Sequence, residues 1–129
     1  MRGALKCSRC GECCRNTRMP LTERDVRRLA EAGFDPAEFT ALDGGVVRLR
    51  NVGGYCYFYD RKRRACRVYD LRPEGCRLYP VVFVEGYGVG VDRRCPMAHT
   101  VSEEELREKA PRVLRLVREI YGDEILEGL

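Results

Sequence analysis

The stretch Cys7-Ser8-Arg9-Cys10-Gly11-Glu12-Cys13-Cys14 places four of the chain's eight cysteines within a single short run. A cysteine thiolate is both a nucleophile and a metal ligand. The run contains two overlapping Cys-x-x-Cys steps, the spacing with which a tight turn directs two sulfurs at one ion. The remaining cysteines follow at wide intervals, so the candidate metal ligands are Cys7, Cys10, Cys13, Cys14, Cys56, Cys66, Cys76 and Cys95.

The adjacent pair Cys13 and Cys14 bears on the number of metal centres, because neighbouring side chains usually diverge and are poorly placed to share one ion. The pair therefore favours two centres or one polynuclear centre. Eight thiolates divide into two sets of four, the number that suits both structural zinc and an iron–sulfur cluster. The sequence leaves the division of the cysteines open, with a strained Cys13–Cys14 disulfide as the alternative.

The composition predicts a globular chain, since 44% of the 129 residues are hydrophobic and 34% are charged. This length suits one domain, which we expect to span residues 1–129. No apolar run approaches the roughly 20 residues that cross a bilayer, and no apolar signal-peptide core is visible near the start. We therefore expect a cytoplasmic protein with no membrane partner. Reducing cytosol favours metal binding over structural disulfides, although the thermophile-like composition, rich in Arg and Glu and without Gln, keeps disulfides open as an alternative.

The net charge of +4 raises the question of nucleic-acid binding, because the run Arg61-Lys62-Arg63-Arg64 resembles a basic patch. Eight thiolates that hold two dications would lower this net charge to zero. The arginine excess can therefore offset an anionic metal centre. We expect the run to form a solvated turn, the partner to be a metal ion, and nucleic acid not to be a partner.

Helix signals lie at both ends of the chain. Thr22 and Asp25 predict the start of a helix that runs to Gly33, and Pro36 is expected to open a further helical turn. Ser102 and Glu105 form a capping-box pattern before a C-terminal helix over about residues 102–121. Pro111 is expected to kink or divide that helix.

Strand signals lie between these helices. The segments that we predict as strands, with turns between them, are 46–50, 55–59, 65–69, 81–85 and 89–92. The fold class is therefore α+β: a small, irregular single domain with short β-hairpins and a C-terminal helix, organised around cysteine-ligated metal.

Several motifs together resemble the YkgJ-like, CxxCxxCC cysteine-cluster family. They are the run 7–15, Cys66-Arg67-Val68-Tyr69, Leu71-Arg72-Pro73, Cys76-Arg77-Leu78-Tyr79-Pro80, Cys56 and Cys95-Pro96. The likeness covers about residues 5–98 and uses all eight cysteines, whereas Tyr55 and Tyr79 depart from it. The family is described as zinc- or iron-chelating, so the resemblance implies zinc or iron as the cofactor. A [4Fe–4S] cluster is one form of iron that four of the eight thiolates could hold.

Three functional classes follow from these observations. The first is a protein that binds and handles zinc or iron. The second is an iron–sulfur redox protein or enzyme component related to flagellin lysine N-methylase, a group with a similar cysteine cluster. The third is an interaction domain that zinc stabilises. His99 is the only histidine, and we expect it at the surface, so no Cys/His catalytic arrangement is indicated.

Overall fold

The computed structural model describes residues 14–126, which fall into two compact units, 14–77 and 78–126. The described residues contain four α-helices and four two-stranded antiparallel sheets, each formed by strands consecutive in sequence. The predicted α+β class, with short hairpins and a C-terminal helix, is confirmed. The organisation around metal and the single domain over 1–129 stay predictions.

The first unit begins with two helices whose ends match their sequence signals. Helix α1, Glu23–Glu31, starts after Thr22, whose side chain accepts from the Asp25 N–H while the Asp25 carboxylate accepts from the Thr22 N–H. The chain leaves α1 through Gly33, whose φ of 103° is a left-handed value that glycine adopts without strain. Helix α2, Pro36–Phe39, is capped by the side chain of Asp35.

Three hairpins and a short helix complete this unit. They comprise β1 (Thr40–Asp43), β2 (Val46–Leu49), β3 (Asn51–Val52), β4 (Tyr55–Cys56), β5 (Tyr59–Asp60), β6 (Ala65–Cys66) and α3 (Glu74–Leu78), whose last residue already belongs to the second unit. Strand β1 was not predicted. It pairs with β2 across Gly44 and Gly45, whose φ values of 61° and 83° suit a tight hairpin turn.

The prediction of one strand over residues 55–59 is wrong, because the backbone turns between β4 and β5. At this turn the Phe58 N–H donates to the sulfur of Cys56 at 3.4 Å, and the Phe58 carbonyl accepts from Arg67. The turn accompanies the burial of the Phe58 ring, which is 1% exposed. The return strand is also shorter than predicted, since β6 ends at Cys66 and a turn of 3₁₀ helix follows at Tyr69–Leu71.

The core of the first unit is built around Phe58. Its ring lies 5.1 Å from that of Phe34 and 5.3 Å from that of Phe39, measured between ring centroids. The buried members of this core, called the first core below, are Leu21, Leu29, Phe39, Leu49, Cys56, Phe58 and Val68.

The second unit consists of a hairpin and a long helix. Strands β7 (Val81–Val84) and β8 (Gly88–Val91) form the predicted hairpin, and helix α4 spans Glu103–Tyr121. Their apolar faces form a second core of Leu78, Val81, Val113, Leu116 and Val117.

Helix α4 continues through Pro111, which lies inside the helix and does not divide it. The hydrogen bond that proline cannot make would reach the carbonyl of Arg107. Both residues are exposed, so water can satisfy that carbonyl. Ser102 caps the helix by accepting from the Glu105 N–H, while the Glu105 carboxylate pairs with Lys109 at 2.8 Å. Neither α4 nor any other helix within residues 14–126 is long and apolar enough to cross a membrane.

Replacing Phe58 tests the first core. We expect Phe58→Ala to lower the free energy of unfolding by about 3 to 5 kcal/mol, because it leaves a cavity that its aromatic neighbours cannot fill. Tyr87→Ala is the control, since Tyr87 is 89% exposed at a turn. Denaturant unfolding of both variants measures the difference, and equal losses would contradict this account of the core.

Candidate metal centre

Cys56 is the most buried of the described cysteines, with 6% of its surface exposed. It lies in β4, where it is paired with Asn51 of β3. Its sulfur accepts the hydrogen bond from the Phe58 N–H. Backbone N–H donation of this kind stabilises a thiolate and tunes metal-bound sulfur. Cys56 is therefore a buried sulfur that already accepts a backbone hydrogen bond.

Cys14 lies near the N-terminal end of the unit, beside strand β4. Arg15 forms an antiparallel bridge with Tyr55, and the Asn16 N–H donates to the Gly54 carbonyl at 2.7 Å. This bridge holds the end of the CxxCxxCC run against β4, and Cys14 packs against the first core.

Cys66 is held by the next hairpin, where it is paired with Tyr59 of β5. The Arg67 N–H donates to the carbonyl of Phe58, which ties the residue after Cys66 to the turn that follows Cys56. Cys66 is half-buried and packs against the first core.

Cys76 lies on α3, and a residue of α1 holds the start of that helix. Pro73 precedes α3 and provides no capping side chain. Instead, the carboxylate of Asp25 accepts from the Glu74 N–H at 3.1 Å. Asp25 is 1% exposed and also accepts from Arg28 at 3.0 Å. Its negative charge lies at the N-terminus of α3, where the helix dipole favours an anion.

Four cysteines from separate segments of the first unit lie in or against one core: Cys14, Cys56, Cys66 and Cys76. No disulfide joins any two of them. Nevertheless, no three Cys, His, Asp or Glu side chains within residues 14–126 are gathered closely enough to hold a metal ion. The described residues bring these cysteines to one core without forming a complete ligand set.

The other predicted ligands lie elsewhere in the chain. Cys7, Cys10 and Cys13 are outside the described residues. Cys95 belongs to the second unit, where its N–H donates to the carbonyl of Asp92 at 3.3 Å. His99 is exposed in a 3₁₀ turn, Ala98–Thr100, as expected.

A side-chain network stands directly before Cys95. The Tyr79 hydroxyl donates to the Asp92 carboxylate at 2.9 Å, and the Arg94 guanidinium donates to both carboxylate oxygens. The hydrogen bond from Arg94 is the main cause that lowers the pKa of Asp92. Burial raises the pKa of Tyr79, and its hydrogen bond to Asp92 adds to this effect. The network fixes the loop that carries Cys95.

Sequence reasoning missed Asp25 and the Tyr79–Asp92 pair as residues that position the cysteine-bearing segments. The capping-box pattern reveals the role of Asp25 within α1, but its bond to Glu74 spans 49 residues and leaves no local signal. Arg72, which lies between the 3₁₀ turn and α3, donates to the Tyr69 carbonyl and places its guanidinium 3.9 Å from the centre of the Tyr69 ring.

Comparison with known families agrees with the cysteine pattern. A family model, CxxCxxCC, described as "Putative zinc- or iron-chelating domain", matches residues 6–111 and confirms the resemblance. The matched segment includes the first half of α4. No curated protein and no solved structure matches the chain.

Replacing Asp25 tests its role in holding α3. We expect Asp25→Asn to lower the free energy of unfolding by about 2 to 3 kcal/mol, because an amide cannot accept from every donor around this buried carboxylate. Asp35→Asn is the control, since Asp35 caps α2 at an exposed position and Asn caps as well as Asp. Denaturant unfolding compares the two variants. A similar loss in both would show that the contact with α3 adds nothing.

The Asp92 carboxylate makes stability depend on pH. Its folded pKa lies below its unfolded value, so its contribution is present above about pH 4 and is lost as pH falls through the folded pKa. We expect Asp92→Asn to cost about 1 kcal/mol at pH 7, and this cost should shrink as the pH falls below about 4. The control is Asp123→Asn, since Asp123 is 82% exposed in its pair with Arg118. Unfolding curves of both variants are measured at pH 7 and below about pH 4. A loss of stability in Asp92→Asn that does not depend on pH would contradict the role given to the Asp92 carboxylate.

Proposed function

Because the chain belongs to the CxxCxxCC family of zinc- or iron-chelating domains, we propose that it binds zinc or iron through its cysteine thiolates. The single observation that carries the proposal is the placement of four cysteines around the first core: Cys14, Cys56, Cys66 and Cys76. Soft thiolate ligands suit both zinc and iron.

The full ligand set extends beyond these four residues. We assign further ligands to Cys7, Cys10 and Cys13, which precede Cys14 in the run and have the Cys-x-x-Cys spacing of a metal turn. Cys95 is the eighth proposed ligand. Binding would draw the thiolates together, so the free energy of metal binding would contribute to folding.

Iron is the metal that the sequence favours. The overlapping Cys-x-x-Cys steps resemble the first three ligands of a ferredoxin run, although the full ferredoxin motif is not met because Cys14 follows Cys13 directly. The adjacent Cys13 and Cys14 suit two centres or one polynuclear centre better than a single ion. We therefore propose an iron-bearing centre, with the iron–sulfur redox or enzyme role as its further consequence. A zinc-stabilised interaction domain is the second candidate, supported by the family description, which includes zinc.

Anaerobic purification, metal analysis and a visible spectrum separate these candidates. Iron with acid-labile sulfide and a brown, oxygen-sensitive spectrum supports the iron–sulfur centre. A colourless protein with stoichiometric zinc that unfolds on chelation supports the zinc-stabilised domain. Loosely held, exchangeable metal supports a metal-handling role. A folded protein that contains no metal and is closed by disulfides would overturn the proposal.

Substitution of single cysteines tests the ligand assignment. We expect Cys76→Ser and Cys10→Ser each to release metal and to destabilise the fold, since a structural site rarely tolerates the loss of one thiolate. His99→Ala is the control and should retain metal and stability, because His99 is exposed. Metal per chain and denaturant midpoint are measured for all three variants. Unchanged metal content in both cysteine variants would defeat the assignment.

A further inference from the structure

The turn between β5 and β6 carries four consecutive basic residues, Arg61-Lys62-Arg63-Arg64, called the basic turn below. All four are exposed. Asp60 orders the backbone, because its carboxylate accepts from the Lys62 N–H at 3.0 Å and from the Arg63 N–H at 3.1 Å. The positive charges therefore project from a defined hairpin end.

Arg64 occupies a backbone position that is unfavourable for arginine. Its φ of 53° lies in the left-handed region, where glycine or asparagine is the usual residue at a hairpin turn. An arginine here costs conformational energy that glycine would avoid. The strain gives a reason to look for a role of the side chain outside the fold.

Aromatic rings hold the neighbouring guanidinium groups in place. Arg61 lies 4.9 Å from the centre of the Tyr55 ring, and Tyr55 stacks on Tyr59 with 5.2 Å between ring centroids. Arg67 lies 5.1 Å from the centre of the Tyr57 ring and donates to the Tyr57 carbonyl. A guanidinium held in this way loses less freedom when its N–H groups bind a planar carboxylate in a bidentate manner.

The basic turn lies in a unit that is itself basic. Residues 14–77 contain 14 basic and 9 acidic side chains, a formal net charge of +5 when the cysteines are counted as neutral thiols. The acidic side chains beside the basic turn are already engaged. Asp60 orders the turn and lies 3.8 Å from the Arg63 guanidinium, and Glu38 accepts from the Tyr57 hydroxyl at 2.9 Å. Exposure of all four basic residues also argues against their contact with buried sulfur.

We propose that the basic turn, with Arg67 and the tyrosines beneath it, docks an acidic segment of a partner protein. Tyrosine and arginine are the residue types that dominate binding energy at protein interfaces. Nucleic acid suits this surface less well. The ring of Tyr55 is already contacted by Tyr59 and Arg61, so a nucleobase would have to displace one of them before it could stack.

The test measures anisotropy of labelled oligoglutamate binding to the full-length protein as purified. The variant Arg61→Gln/Arg64→Gln removes two charges of the basic turn. The control Arg27→Gln/Arg115→Gln removes two charges from exposed helix positions elsewhere. We expect about tenfold weaker binding by the first variant and a change within about twofold in the control, with affinity falling as salt rises. Lys62→Gln/Arg63→Gln repeats the test without altering the strained position.

Three outcomes would overturn the proposal. The first is that oligoglutamate fails to bind. The second is that both variants and the control lose affinity equally, which would indicate attraction to net charge alone. The third is that oligothymidylate of matched charge, or an anionic lipid vesicle, binds through the basic turn more tightly than oligoglutamate does. Unfolding midpoints measured alongside check that each variant retains its fold.

Discussion

The arrangement of the first unit depends on the hydrogen bonds that the Asp25 carboxylate accepts. This carboxylate closes the capping box of α1, accepts from Arg28 and caps α3 across a gap of 49 residues. Helix α3 has only five residues, too few to persist without tertiary support. Since Cys76 lies on α3, the placement of a proposed ligand depends on a buried charge in a different helix.

The rest of the first unit has little regular structure of its own. Strands β3 to β6 have two residues each, and a hairpin of that length is at best marginally stable in water. The aromatic core around Phe58 holds these hairpins in place. Cys56 belongs to this core, and Cys66 and Cys76 pack directly against it. Small domains with limited cores commonly depend on metal or disulfides for stability. The proposed metal would therefore link the two-residue strands, which have few interstrand hydrogen bonds to hold them.

Sequence reasoning succeeded where a short local signal determines the structure. Thr22 with Asp25 and Pro36 after Asp35 fixed the first two helices, while the glycines around Tyr87 fixed the β7–β8 hairpin. It failed where burial of a side chain overrides local propensity. The aromatic run 55–59 has strong strand propensity, but burial of Phe58 requires a turn there. Of the two outcomes expected at Pro111, division does not occur, since the buried stripe of α4 maintains the helix past a residue that usually ends one.

The same distinction applies to the candidate site. Its ligand types could be named from the sequence because thiol chemistry needs no fold to be recognised. The convergence of Cys14, Cys56, Cys66 and Cys76 on one core depends on pairings that link distant segments, such as the bridge between Arg15 and Tyr55. The positioning roles of Asp25 and Asp92 depend on such contacts as well.

The β5–β6 hairpin carries both a proposed metal ligand, Cys66, and the basic turn that is proposed to dock a partner. Arg64 ends the basic turn and Cys66 follows two residues later, so the two backbone positions are at most about 7 Å apart along the strand. If a metal ion holds Cys66, it also restricts the hairpin that presents the basic turn. A partner that requires this ordered turn would then bind the metal-loaded protein more tightly than the metal-free protein. Linkage is reciprocal, so the same partner would raise the affinity for metal by the same factor. The strength of that coupling depends on how far the metal-free hairpin departs from the geometry that Asp60 already imposes on its turn.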